Sequence, residues 1–220
     1  MRDNIIDLLP EIWVALGQTF LMVGIAVSAA VLLGGPLGIL LFLTGKGQSL
    51  ENRSVFFVLD WIINTVRSFP FIILLVALVP FTRVIAGTSI GPVAAAIPLS
   101  FAAIPFFARL VEQSLREVPR GAVEAAHAMG ATELQIVFRV LLVEARSGLV
   151  LALTVLTVSF LSYSAVAGVV GGGGIGDLAI RFGYYRFQTD VMVATVALLV
   201  VLVQIIQFTG NRVAHHLNKR

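Results

Sequence analysis

Long uncharged runs of apolar residues limit this chain to one class of fold. Two of these runs read "FIILLVALV" and "VMVATVALLVVLV". A helix needs about 20 mostly apolar residues to cross the hydrocarbon core of a bilayer. Only 12% of the residues are charged, against about a quarter in soluble domains. The sequence therefore predicts an all-α, polytopic membrane protein.

The charged and polar breaks between the runs predict five transmembrane helices. Their approximate limits are residues 12–45, 55–81, 90–108, 149–170 and 191–209. With the N-terminus outside, Lys and Arg concentrate at the inner ends of these spans. The inner set is Lys46, Arg53, Arg109, Arg116, Arg120, Arg139, Arg146, Arg212, Lys219 and Arg220, and the outer set is Arg2, Arg83, Arg181 and Arg186. Because positively charged loops stay in the cytoplasm, we expect an N-out, C-in orientation.

The loop between the third and fourth predicted spans contains a polar, Ala-rich segment, "EVPRGAVEAAHAMGATELQ". Pro119 suits the start of a helix and Gly130 the residue just past its end, so a helix of about three turns lies between them. Thr132 and Gln135 have the spacing of a capping box. A second helix is therefore expected to begin there and to run into span four.

The short helix has two faces. Its small and apolar side carries Val118, Ala122, Ala125, Ala126 and Met129, and its polar side carries Arg120, Glu124 and His127. A helix of this length is marginal alone in water, so it needs a packing partner. Either the inner ends of the protein and the lipid headgroups cover it, or it docks into a groove of another protein.

Within this loop the stretch "EAAHAMGATELQIVFRVLL" resembles the EAA motif of permease subunits in binding-protein-dependent ABC importers. Glu124, Ala125, Ala126 and Gly130 stand at the spacing of that motif. The segments "RSFPFIILLVALVPFTRVIAGTSIG", "SYSAVAGVVGGGGIG" and "IIQFTGNRV" are similar to the five-span permeases of methionine ABC importers. The family motif usually closes with Leu-Pro, but Val143 replaces the proline, which favours a straighter continuation of the second helix.

The resemblance implies one permease domain over residues 1–220, with the coupling-helix loop at about 112–146, in a bacterial inner membrane. It further implies a homodimer, two copies of a cytoplasmic ATPase, and a periplasmic or lipoprotein substrate-binding protein. The cargo would be D- or L-methionine, with another small amino acid as the alternative. The coupling interface implied by the motif is Ala122, Glu124, Ala125, Ala126, Met129 and Gly130.

Span four supplies the candidates for the translocation path. They are Thr157, Ser162, Tyr163, Ser164 and Val166, because the path in similar permeases follows this helix. Polar side chains in a span also serve as hydrogen-bonding groups between helices. Both interpretations remain open for each residue.

No catalytic residues, metal site or cofactor site are expected on this chain. It lacks the phosphate loop G-x-x-x-x-G-K-[ST], so ATP and Mg²⁺ are expected on the partner ATPase. The run "GVVGGGGIGDLA" is expected to allow close backbone approach, with a flexible outer loop or a turn near a gate as alternatives. Membrane lipid is an expected partner and nucleic acid is not. An ion-coupled secondary transporter is the rival class, disfavoured because no internal repeat is visible.

Several residues inside the predicted spans are expected to have structural roles. Asp60 and Arg67, seven residues apart, share one helical face. They either pair with each other or contact other groups, since charges in a span rarely lack partners. Pro70, Pro80, Pro98 and Pro105 are expected to interrupt or kink spans two and three.

Overall fold

The computed structural model describes residues 2–218, and side chains from residue 8 onwards. This part of the chain contains helices and turns but no strand. The α-helices are α1 (Arg2–Ala29), α2 (Gly35–Thr44), α3 (Arg53–Ser68), α4 (Phe71–Ala77), α5 (Val79–Ala86), α6 (Pro92–Arg116), α7 (Arg120–Ala128), α8 (Glu133–Gln135), α9 (Leu142–Glu144), α10 (Arg146–Ala167), α11 (Gly174–Leu178) and α12 (Thr189–Leu217). Wider π-helical turns occupy Ala30–Gly34, Ile136–Leu141, Gly168–Gly172 and Ala179–Tyr184.

Four stretches are long and apolar enough to cross a membrane. They are Leu8–Thr44, Pro92–Arg116, Arg146–Gly172 and Thr189–Leu217. The helices α3 and α4 pass the same test together and form either a broken span or a re-entrant loop. The expected all-α membrane architecture is therefore confirmed, with four or five candidate spans.

The break in the second predicted span lies at Pro70, where α3 and α4 are bent by 98°. A residue before proline avoids helical backbone angles, and Phe69 is extended, with φ −72° and ψ 130°. Pro98 and Pro105, by contrast, lie inside an unbroken α6. The expected interruption at these two prolines is wrong, because the packing of α1, α2 and α10 against α6 holds it helical. The expected kink at these prolines stays a prediction.

The helix α6 forms the centre of the core. Its Leu99 and Ala103 are buried together with Met22 and Ala26 of α1 and Phe160 of α10. Glycines allow the first span to approach α6 closely. A Cβ atom at Gly34 would clash with the carbonyl group of Ile104, and one at Gly38 with that of Ala108. These small residues four positions apart are typical of close helix packing in membranes.

Most Lys and Arg residues gather at one end of the molecule, which we call the charged end. It contains the end of α2, the start of α3, the end of α6, the α7–α9 segment, the start of α10 and the end of α12. Arg146 Nε donates to the carbonyl oxygen of Leu217 at 3.1 Å, and Ser147 Oγ donates to that of Ala214 at 2.9 Å. These bonds hold the start of α10 against the end of α12.

Candidate coupling site and its surroundings

The short helix predicted at the charged end is present as α7. Gly130 closes it with φ +79°, a left-handed conformation in which glycine is favoured. The predicted capping box is also present. The backbone N–H of Thr132 donates to Gln135 Oε1 at 2.9 Å, and that of Gln135 to Thr132 Oγ1 at 3.4 Å. The sequence therefore correctly predicted a helix, a glycine turn and a second helix start.

The Ala-rich side of α7 divides into an inward and an outward part. Ala126 is only 4% exposed and packs in the main core with Val118 and Ile136. Ala122 is half-buried, whereas Glu124, Ala125 and Gly130 are exposed. Met129 is 82% exposed. The protein's own core at the charged end thus covers one part of the predicted face, and the other part remains available to a partner.

Two further apolar side chains lie exposed just beyond the turn. Leu134 is 71% exposed and Phe138 is 63% exposed. Sequence reasoning did not single them out, although their i, i+4 spacing after the capping box was a usable signal. With Met129 they make three exposed apolar side chains on α7, α8 and the turn that follows α8, which we call the outer patch.

The turn at Gly130 is bridged by an ionic contact. His127 Nε2 lies 3.2 Å from Glu133 Oε1, and His127 Nδ1 lies 3.1 Å from the carbonyl oxygen of Val123. The hydrogen bond with Glu133, aided by that with Val123, raises the pKa of His127 above its ordinary value of 6.5. Hydrogen bonding from Ser49, and then from His127, lowers the pKa of Glu133. The contact therefore favours a fixed angle between α7 and α8.

A chain of charged groups links α3 to α6. Arg109 donates to Asp60 Oδ1 at 2.6 Å, to Asn64 Oδ1 at 3.0 Å and to Glu112 Oε2 at 3.1 Å. Glu112 is 1% exposed and also pairs with Arg116. Asp60 thus pairs with a neighbouring helix instead of Arg67, whose guanidinium lies 5.9 Å from the ring centre of Phe106. The spacing of Arg109, Glu112 and Arg116 along one face of α6 was the sequence signal for this network.

The second helix does not continue uninterrupted into α10. It widens into a π-helical turn and ends at Glu144, and Ala145 forms a turn with φ −79° and ψ −3° before α10 begins. The straighter continuation expected from Val143 stays a prediction, since the backbone N–H of Ala145 donates to the carbonyl oxygen of Leu141 at 2.9 Å and that of Leu149 donates to the carbonyl oxygen of Ala145 at 2.8 Å. This residue is 5% exposed and packs in the main core, so tertiary packing sets the turn without a proline.

The path candidates on α10 differ in burial. Ser162 is exposed and Thr157 and Val166 are half-buried. Tyr163 is half-buried, stacked on Phe71 with ring centres 4.7 Å apart. Ser164 is 2% exposed, and its hydroxyl donates to the carbonyl oxygen of Leu161 at 2.7 Å. In the protomer, Ser162 is thus the most accessible of the five and Ser164 lies inside.

The glycine-rich run packs closely against α1 and the start of α6. The N–H of Gly174 donates to Gln18 Oε1 at 2.8 Å, and that of Ile175 to Thr19 Oγ1 at 3.0 Å. A Cβ atom at Gly176 would clash with the backbone of Ala165. The interpretation that these glycines permit close backbone approach is confirmed.

Comparison with known proteins identifies the family. A family model described as "Binding-protein-dependent transport system inner membrane component" matches residues 30–220. The chain belongs to this family. Membership agrees with the multi-pass helical fold and makes the chain a transport component. The α7–α8 segment falls within the matched residues.

Several relatives of this chain are named as permease proteins of methionine transport systems. The chain is 49% identical over 203 residues to a probable D-methionine transport system permease protein, MetI, of Vibrio cholerae, covering 92% of this chain and 90% of the relative. It is 40% identical over 212 residues to the methionine import system permease protein MetP of Bacillus subtilis, covering 96% of each. A solved structure described as inward-facing conformations of the MetNI methionine ABC transporter matches with a TM-score of 0.93 and 43% identity over 100% of both chains.

Proposed function

We propose that this chain is the permease subunit of an ATP-driven methionine importer and forms the translocation path for D- or L-methionine. One observation carries the proposal: the fold matches the MetNI transporter over its full length at 43% identity. The match includes the membrane helices and the α7–α8 segment alike. A match in sequence as well as in fold supports a shared cargo, which a likeness of the fold alone does not.

The membrane topology in this proposal is five spans, N-out and C-in, with α3 and α4 as one broken span. The charged end carries Lys46, Arg53, Arg116, Arg120, Arg139, Arg146 and Arg212, and the opposite end carries Arg83, Arg181 and Arg186. The positive-inside rule then supports a cytoplasmic charged end. Arg109 of the sequence count lies in the network with Asp60 and Glu112. The other cations of that count, Arg2, Lys219 and Arg220, lie outside the described side chains.

The coupling interface would consist of α7 and the turn that follows it, within a single permease domain spanning 1–220. Glu124, Ala125, Met129 and Gly130 are exposed and would contact the ATPase, which holds ATP and Mg²⁺. Ala122 and Ala126 would anchor α7 to the permease core. The outer patch adds apolar area of the kind that a groove on a partner buries. Movement of the ATPase would then reach the membrane helices through α7.

The path would run along α10 at the axis of a homodimer. Ser162, Thr157 and Val166 are the accessible candidates, and Tyr163 and Ser164 would support the helix from behind. A separate binding protein would deliver the cargo from the outer side. Exposed apolar residues elsewhere on the protomer would contact lipid or the second copy.

The test is reconstitution of the chain with its ATPase and binding protein in liposomes. We expect ATP-dependent uptake of labelled methionine, competed by unlabelled methionine, and its loss when the phosphate-loop lysine of the ATPase is replaced by alanine. Uptake driven by a proton gradient without ATP would instead identify a secondary transporter. ATP-driven uptake that ignores both methionine isomers would overturn the cargo.

A further inference from the structure

A cavity of about 1060 Å³ opens at the charged end of the protomer. Its walls come from the end of α2, the 45–52 loop, the start of α3, the end of α6, α7 and the second helix. Among the residues proposed to contact the ATPase, Glu124 also lines this cavity, whereas Ala125, Met129 and Gly130 do not. The cavity therefore calls for an occupant of its own.

The lining of the cavity is rich in cations. Lys46, Arg53, Arg116 and Arg120 line it, against two carboxylates, Glu51 and Glu124. Arg116 pairs with the buried Glu112 outside the lining. Among the residues that the structure describes, Lys46, Arg53 and Arg120 form no ion pair. Three cations are thus left for an anionic ligand.

The cavity lies beside the ends of three candidate spans, where lipid headgroups are expected. Three candidate span ends border it: α2 ends at Thr44, α3 begins at Arg53 and α6 ends at Arg116. Its wall toward the membrane is apolar, with Phe42, Phe56 and Leu115 among its lining residues. A ligand with an anionic head and an apolar tail fits both parts of this lining.

We propose that the cavity binds the headgroup of an anionic phospholipid. Anionic lipids attract Lys and Arg near the membrane surface, and basic pockets between membrane helices bind their headgroups. The guanidinium groups of Arg53 and Arg120 suit phosphate oxygens because each can donate two hydrogen bonds. The bound lipid would connect α3 to α7 across the cavity. This proposal does not depend on the cargo or on the ATPase.

Native mass spectrometry of the full chain, delipidated in detergent and titrated with phosphatidylglycerol or phosphatidylcholine, tests the proposal. We expect one phosphatidylglycerol per chain to bind at least tenfold more tightly than phosphatidylcholine. Each cation near a membrane surface contributes roughly fivefold to such binding. Arg53→Gln should therefore weaken binding about fivefold, and the Lys46→Gln, Arg53→Gln double variant about 25-fold. Arg120→Gln provides an independent test from the α7 side.

The matched control is Arg212→Gln, which removes one cation from the charged end but outside the cavity lining. It should leave phosphatidylglycerol affinity unchanged, and all variants should elute as folded protein on gel filtration. Equal affinity for the two lipids would overturn the proposal, as would wild-type affinity in the double variant. Displacement of the lipid by millimolar inorganic phosphate would reassign the cavity to a soluble anion.

Discussion

Asp60 Oδ1 lies 2.6 Å from Arg109 Nη2 and thereby joins α3 to α6 through residues 49 positions apart. Arg109 also bonds Glu112, whose second partner, Arg116, ends α6. Only residues 117–119 separate Arg116 from α7. The proposed coupling helix is therefore tied to the bent α3–α4 pair by a short polar route.

Loss of the Asp60 carboxylate should destabilise the fold. Asp60→Ala leaves Arg109, whose side chain is 12% exposed, with fewer partners. Removing one member of a buried hydrogen-bonded pair costs about 1–3 kcal/mol, with more for a charged group. We expect a loss near the middle of that range because the Asp60 side chain is 31% exposed. Unfolding in mixed SDS micelles measures it.

A double-mutant cycle separates the pair from its surroundings. Asp60→Ala together with Arg109→Ala should cost less than the sum of the single variants, since the two residues share one interaction. Arg83→Ala, at the opposite end and without an ion pair among the described residues, is the control and should stay near wild type. Additive losses in the cycle would refute a direct Asp60–Arg109 coupling.

The close packing of the first candidate span against α6 leads to a prediction about stability. Gly38→Ala should destabilise the protein by about 1–3 kcal/mol, the usual cost of an overpacked core, because its Cβ would clash with Ala108 and Val111. Gly24→Ala in α1 is the matched control, since its Cβ meets nothing within 4 Å. Both can be compared in the same SDS unfolding assay. Equal stability of the two variants would show that α2 can move away from α6 without cost.

The sequence predicted the parts of this fold that local chemistry determines. Pro119, Gly130 and the Thr132–Gln135 box located α7 and α8 because caps depend on nearby residues. The sequence could not predict that Ala126 faces the core while Met129 is exposed. Helical spacing shows that the two residues share a side of α7, but it does not show which part of that side a neighbouring element covers. The sequence also could not predict the Asp60–Arg109 ion pair, because that pair depends on how α3 packs against α6.

Tertiary context also explains where the structure departs from simple sequence rules. Pro98 and Pro105 remain within α6 because three neighbouring helices enclose it. The turn at Ala145 arises without the proline of the family motif because Ala145 is fixed in the core. Local propensity is overridden in both places by contacts between distant segments.

The His127–Glu133 contact should depend on pH. A raised pKa at His127 means that its stabilising contribution is complete below the ordinary value of 6.5 and is lost as pH rises through the raised value. A lowered pKa at Glu133 means that its contribution is present above the ordinary value of 4.5 and is lost as pH falls through the lowered value. The contact should therefore be complete between about 4.5 and 6.5.

NMR titration of the histidine rings tests this window. The chain has three histidines, so the spectrum of His127→Gln assigns the signal of His127. We expect its titration midpoint above 6.5 in the wild type and a lower midpoint in Glu133→Gln. In the wild type, amide hydrogen exchange in α7, corrected for intrinsic rates, should be faster at pH 8.5 than at pH 6. In Glu133→Gln the corrected rates should be the same at both pH values. An unchanged midpoint in Glu133→Gln would rule out the contact.

The turn at Gly130 provides the most direct test of the coupling site. Its φ of +79° is unfavourable for residues with a Cβ, although a Cβ there would meet no atom within 4 Å. Gly130→Leu should therefore cost about 1–2 kcal/mol of backbone strain and change the angle between α7 and α8. Gly130→Asn is the matched control because asparagine tolerates this conformation. In reconstituted transporter we expect Gly130→Leu to insert normally yet lose ATP-driven uptake or ATPase association, while Gly130→Asn keeps most of both. Wild-type uptake by Gly130→Leu would mean that the α7–α8 turn does not transmit movement of the ATPase.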